Sequence, residues 1–253
     1  PKVETDPAGG TVKVPNPPPI GCFAEGTPQS VMAAFLNAMR SAPNGAWALG
    51  NEPEYQLNNR WSFSGSTGDP ITIAWSLVPD GTDWDGAPSN LFAQLDTKCS
   101  AVGGRTAWVD AIQDCFDRWE YLSGIDFVRI KIGANDWDDG AAFGNDYSAG
   151  ARGHIRIGMN AIDGANNILA YNYFPQNGDM KLDSAEGWGS SANGLRFLRN
   201  VVMHEAGHGL GFRHICSNDS DQLMEPYINV TFDGPQHDDI RIVQRNYGDY
   251  FEP

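Results

Sequence analysis

Three of the chain's five histidines fall in one short segment, His204-Glu205-Ala206-Gly207-His208-Gly209-Leu210-Gly211-Phe212-Arg213-His214. That spacing limits how the surrounding chain can fold. Leu195, Phe197, Leu198, Val201 and Val202 precede it at helical spacing, so a helix carries His204 and His208 one turn apart on one face. Gly211 permits a left-handed exit from that helix, and His214 can then swing back to the same point. Three imidazoles with a fourth position left to water form a catalytic rather than a structural zinc arrangement. Glu205, beside the first ligand, can reach that water as general base. A bare His-Glu-x-x-His arises by chance in unrelated helices, but the extended form with a third histidine is far more restrictive.

The rest of the chain reads as alternating strands and helices. Residues 1–20 hold Asp6-Pro7-Ala8-Gly9-Gly10 and Pro15-Asn16-Pro17-Pro18-Pro19, which reads as an extended arm. Thr27 and Pro28 can start a short helix carrying Val31, Met32, Phe35, Leu36 and Met39. Alternation at Ile71, Ile73, Trp75 and Leu77 predicts a strand. A long amphipathic helix with Trp108, Val109, Ile112, Phe116 and Trp119 on one face follows and ends at Gly124. Strands are expected at Ile125–Ile132, Ile155–Met159 and Ile168–Phe174, with a Gly/Asp/Asn-rich loop over residues 133–153. The division expected is an N-terminal extension over residues 1–52 and a catalytic domain over residues 53–253. His154 and His237 lack partners at ligand spacing, and Trp75, Trp108 and Trp119 are expected in the core.

Composition excludes several classes. Thirty-two acidic residues against 17 basic give a formal charge of -15, which disfavours nucleic acid and anionic lipid as partners. No apolar run is long enough to cross a bilayer. The chain opens Pro1-Lys2-Val3-Glu4 without a leader peptide, so a processed or truncated form is expected. Four cysteines, Cys22, Cys99, Cys115 and Cys216, suit two disulfides and an oxidising compartment, or else buried thiols. Proximity in sequence makes Cys99–Cys115 the preferred pair, leaving Cys22 for Cys216. The alternative is that Cys22 ligates zinc through its thiolate and holds the site latent.

The zinc segment resembles that of the metzincin metalloendopeptidases. Leu223-Met224-Glu225-Pro226 stands where that group has its methionine turn. Pro226 occupies the place of the tyrosine ligand of astacins and serralysins. Together with Pro226-Tyr227-Ile228, Asp238-Asp239-Ile240, Leu169-Ala170-Tyr171-Asn172 and Gly124-Ile125-Asp126-Phe127, this makes the chain most similar to the matrixins over about residues 60–250. Ile215 after the third histidine departs from the family, as does a longer link from His214 to Met224. The Pro-Arg-Cys-Gly latency motif is missing too, and the nearest text is Pro19-Ile20-Gly21-Cys22-Phe23.

The resemblance implies an α/β (α+β) fold with a twisted, mixed five-stranded sheet, two long helices, and an irregular C-terminal part with a final helix. It implies a secreted, monomeric zinc endopeptidase acting on extended polypeptides. His204, His208 and His214 hold one zinc, Glu205 is the catalytic base, and Met224 forms the floor of the site. Substrate lies against Leu169, Ala170 and Tyr171 on one side and Pro226, Tyr227 and Ile228 on the other, added as a strand to the sheet edge. A zinc protein that binds peptides without cutting them, one kept latent by its N-terminal segment, and a hydrolase of non-peptide amides are the rivals. Tyr171 and Lys181 stand where matrixins have histidines for a second zinc. A structural calcium is expected between Asp163, Asp183 and Glu186, with backbone carbonyls of Gly164, Asn166 and Ile168 completing an all-oxygen shell.

Overall fold

A computed structural model describes residues 3–5, 11–13, 20–40, 59–215 except 62 and 64, and 220–250. The first elements are β1 (Val3–Thr5), β2 (Thr11–Lys13), β3 (Ile20–Phe23), α1 (Gln29–Arg40) and β4 (Ile71–Leu77). The short strands β5 (Asp83–Trp84) and β6 (Ala87–Pro88), α2 (Leu91–Lys98), α3 (Gly104–Tyr121) and β7 (Ile125–Arg129) follow. The chain then forms β8 (Ile155–Asn160), β9 (Ile168–Asn172), β10 (Asp179–Asp183), α4 (Arg196–Gly209) and α5 (His237–Tyr247).

The main sheet has the order β3-β9-β10-β8-β4-β7. β4 runs parallel to both β7 and β8, and β8 parallel to β10. β9 is antiparallel to β10, and β3 is antiparallel to β9. The sheet is therefore mixed, as expected, with six strands instead of five. The sixth is β3, which falls within residues 1–52, the segment expected as an N-terminal extension; it satisfies the open edge of β9.

Parallel strands covered on both faces are usually near-continuous apolar runs; β8 and β10 are buried at every position although they carry Arg156, Asn160, Asp179, Lys181 and Asp183. α3 lies against the sheet through Phe116, stacked on Trp75 with centroids 4.3 Å apart. α4 packs on α3, where the Trp119 indole N–H donates to the Met203 carbonyl at 3.0 Å. The one fully buried ion pair is Arg156–Asp138, at 2.9 Å among the described residues. Trp75, Trp108 and Trp119 are all core residues. β10 and α2 have no counterpart in the sequence reading.

The cysteine pairing expected from sequence proximity does not form. Cys22, Cys99 and Cys115 are buried free thiols, and Cys216 lies outside the described residues. The Cys99 carbonyl receives the Gly104 N–H at the start of α3. Cys115 stands eleven residues further along that helix, roughly 16 Å at 1.5 Å per residue, beyond disulfide reach.

Candidate active site

α4 is buried on every side from Val201 to Gly209, so its histidines have no access to bulk water. The His204 and His208 rings are 4.7 Å apart by centroid. His214 completes the triangle at 5.3 Å and 4.9 Å. One nitrogen from each ring lies within 4.8 Å of the others. The opposite ring nitrogens are held from behind. His204 Nδ1 meets the Leu223 carbonyl and His208 Nδ1 the Phe212 carbonyl, each at 2.7 Å. A carbonyl only accepts, so both Nδ1 atoms carry the proton and both Nε2 atoms present lone pairs. The Nε2 atoms of all three histidines are buried without a hydrogen-bond partner. Burial also drives the three imidazoles below their ordinary pKa, His204 to about 4. Neutral, converging and unpaired nitrogens fit a zinc ion.

Glycine geometry makes the turn possible. Gly211 has φ +100, and a Cβ there would sit 1.7 Å from the Asn59 carbonyl oxygen. Gly207 faces Met224, whose sulfur would lie 2.4 Å from an added Cβ, so the methionine presses directly under α4. Met224 is fully buried, and its carbonyl accepts the Ile215 N–H at 2.8 Å. That bond ties the third histidine's segment to the turn. A residue quoted only for the resemblance holds this turn: buried Asp239 of α5 accepts the backbone N–H groups of Leu223 at 2.7 Å and Met224 at 3.0 Å. It also accepts the Gln236 N–H at 2.8 Å.

Glu205 is buried, and burial pushes its carboxyl well above the usual range. Its Oε1 accepts the Cys22 N–H at 3.1 Å, while Oε2 has no partner. The reason Cys22 is there is β3. Cys22 pairs with Ala170 and Gly21 with Tyr171 in antiparallel register. On the other side, the Phe23 N–H donates to the Pro226 carbonyl and the Ile228 N–H to the Phe23 carbonyl, both at 3.0 Å. Phe23 bridges Tyr227 in parallel. Leu169, Ala170 and Tyr171 thus face Pro226, Tyr227 and Ile228 across a cleft that the chain's own strand occupies. The sequence signal for β3 is weak, because a four-residue strand follows a proline run.

Asp163, Asp183 and Glu186 meet around one loop. Asp183 Oδ2 accepts the N–H groups of Asp163 at 3.1 Å and Gly164 at 3.2 Å. Glu186 Oε1 accepts that of Asn166 at 2.6 Å, and Asp163 Oδ1 that of Ile168 at 3.2 Å. Gly164 and Asn166 have φ of 95° and 73°. Burial raises the pKa of Asp163 and Glu186, and the Asp183 charge adds to both. These carboxylates do not converge as tightly as the histidines, which form one of only two compact ligand groups among the described residues. Tyr171 and Lys181 meet around Asp85: the tyrosine hydroxyl donates to its carboxylate, and the ammonium is 3.9 Å from it.

Comparison with known proteins agrees with this geometry. The family model for Matrixin matches residues 89–248. The hatching enzyme of Paracentrotus lividus is 30% identical over 192 residues, covering 70% of this chain and 27% of that protein. Human neutrophil collagenase is 35% identical over 190 residues, covering 72% of this chain and 37% of its own. The chain thus spans about a third of the length of these relatives or less. The matched span includes the three histidines, Glu205 and Met224, and the chain belongs to the matrixin family.

Proposed function

We propose that this chain is a secreted, monomeric zinc endopeptidase that hydrolyses extended polypeptides. The observation that carries this reading is the set of three buried, unpaired Nε2 atoms aimed at one point. Zinc held there would lower the pKa of a bound water to about 7 and polarise the substrate carbonyl. Glu205 would take the water's proton at its free Oε2 and return it to the departing nitrogen. β9 and the segment Pro226–Ile228 would align substrate as a strand, leaving one peptide bond over the histidines. Among the described residues no helix is long and apolar enough to cross a membrane.

Glu205→Ala tests the mechanism. It should keep zinc at wild-type stoichiometry, since Glu205 is not a ligand, while casein hydrolysis falls by roughly 10²–10⁴-fold. His204→Ala should lose the metal as well. Wild-type digestion by Glu205→Ala would exclude Glu205 as base.

A single structural calcium at the 163–168 loop is part of the same proposal. Two things support it: clustered acids with raised pKa, and a left-handed loop able to turn carbonyls toward them. An ion at hundredfold excess over its Kd adds about 2.7 kcal/mol to folding stability. A calcium chelator that spares zinc should therefore lower the melting temperature, and elemental analysis should find one zinc per chain. A melting curve indifferent to calcium, or two zincs per chain, would refute it.

A further inference from the structure

The face of the sheet turned away from α3 carries a cavity that the histidine site does not use. Trp75 and Phe127 meet Phe116 of α3, so Thr72, Ala74 and Val128 alternate to the opposite face. There they form one side of a cavity of about 560 Å³, within the size range of small-molecule sites. Aromatic rings form the other side. The His154 imidazole lies nearly parallel to Tyr147 at 3.8 Å and to Phe63 at 4.7 Å by centroid, with interplanar angles of 6° and 13°. Two rings that close cannot share one face, so the imidazole is sandwiched between them. Trp61 meets it edge-on at 5.2 Å and ties this wall to the fold, its indole N–H donating to the Gly209 carbonyl at the end of α4. Phe63 and Tyr147 are 50% and 43% exposed and Val128 42%. Lone exposed apolar side chains are ordinary, but adjoining ones around a cavity mark a binding surface.

Polar groups at the cavity select the occupant. His154 is only 9% exposed. Its Nδ1 accepts the Ala74 N–H at 2.9 Å, so the neutral ring carries its proton on Nε2. That N–H, the Asp146 carboxylate and the Tyr147 hydroxyl border the cavity, and among the described residues none of them has a hydrogen-bond partner. A donor this buried calls for an acceptor on the occupant. Among the described residues no lysine or arginine lines the cavity, and the chain carries a formal charge of -15, so anions are repelled. A cation would suit Asp146 and the ring faces but would meet the His154 N–H. A peptide added as a strand is blocked at the neighbouring sheet edge, where Ser123 Oγ and Glu120 already accept the N–H groups of Ile125 and Phe127 in β7, at 3.3 Å and 2.7 Å. A neutral sugar meets every condition. Its C–H face lies on the negative ring faces, and each hydroxyl both donates and accepts.

We propose that this cavity binds a neutral oligosaccharide, with Phe63 and Tyr147 as stacking surfaces and the His154 Nε2–H and Asp146 holding hydroxyls. The site goes beyond the endopeptidase reading and stands without it.

Calorimetric titration of the full, zinc-loaded chain with cellotriose, chitotriose, mannotriose and galactotriose tests it. At least one should bind with a Kd of about 1 mM or tighter. Tyr147→Ala removes a half-exposed ring and should weaken that binding by about 10-fold or more. Tyr147→Trp should restore it, and Asp146→Ala should weaken it too. Melting curves show that each variant is folded, and Phe63→Ala replaces Tyr147→Ala if that variant is not. No binding of any trisaccharide, or binding indifferent to both ring variants, overturns the proposal. So does tighter binding of a sulfated heparin disaccharide. The sugar that binds best is then offered as an insoluble polysaccharide and as the glycan of an immobilised glycoprotein. Retention by one or the other identifies its source, and retention by neither overturns the proposal. The peptide Lys-Trp-Lys is the last arm. Its binding through Tyr147, with no sugar bound, would make the cavity a peptide-docking surface and overturn the assignment to sugar.

Discussion

Two glycines on and just beyond α4 show how single residues set the site, and they are expected to differ when substituted. Alanine favours a helix over glycine by about 1 kcal/mol, so Gly207→Ala would stabilise an isolated helix. Here the added Cβ meets the Met224 sulfur at 2.4 Å, and overpacking of that kind costs about 1–3 kcal/mol. The thioether has rotatable bonds and can yield in part. Gly211→Ala has no such relief: the neighbour is the Asn59 backbone at 1.7 Å and φ is +100. Gly211→Ala should therefore lose more stability than Gly207→Ala by urea titration. It should also weaken zinc binding, because Gly211 aims His214. Equal effects from the two would show that the turn is softer than its geometry indicates.

At the scale of elements, α5 acts on the site from a distance. Asp239 closes its own helix by accepting the Gln236 N–H, and also holds the Leu223 and Met224 N–H groups. Leu223 in turn supplies the carbonyl that orients His204. Asp239→Ala leaves buried donors unmet, a loss on the order of 3 kcal/mol, and should lower zinc affinity without touching a ligand. Asp239→Asn, which keeps an acceptor oxygen, should recover part of both; if zinc affinity stays at wild type in Asp239→Ala, the turn does not need its tether.

Elements differ in how openly the sequence declares them. α4 and its ligands are legible because metal chemistry fixes residue type and spacing locally. The strands β4, β8 and β9 are legible from their apolar pattern. β10 is not: Asp179-Met180-Lys181-Leu182-Asp183 reads as polar, yet all five residues are buried. The partners its charged groups do find are distant in sequence, such as the Gly144 N–H on one Asp179 oxygen and Asp85 beside Lys181. β3 is hidden for a related reason, since its strand partner β9 lies far along the chain.

Across the whole molecule, pH should act with opposite sign through His154 and Asp179, two of several buried groups with shifted pKa. His154 accepts the Ala74 N–H on Nδ1 at 2.9 Å, which requires that nitrogen unprotonated, and burial takes its pKa from 6.5 to about 4. Between those values the unfolded chain binds the extra proton, so this contribution is present above 6.5 and is lost as pH falls to 4. Asp179 is the reverse. One carboxylate oxygen accepts the Gly144 N–H, and the other is buried without a partner. Burial, opposed by Arg156, raises its pKa from 3.8 to about 7. Its contribution is full below 3.8 and is lost as pH rises through 7. The two slopes overlap and partly cancel in wild type. Asp179→Asn, which mimics the neutral acid, should make stability rise with pH relative to wild type between about 4 and 6.5. His154→Asn should make it fall relative to wild type over the same range. Urea midpoints measured across this range with zinc saturating decide it, because the zinc-site contribution is common to both variants and drops out of their difference. Curves for both variants that run parallel to wild type would mean that neither group changes its proton on unfolding.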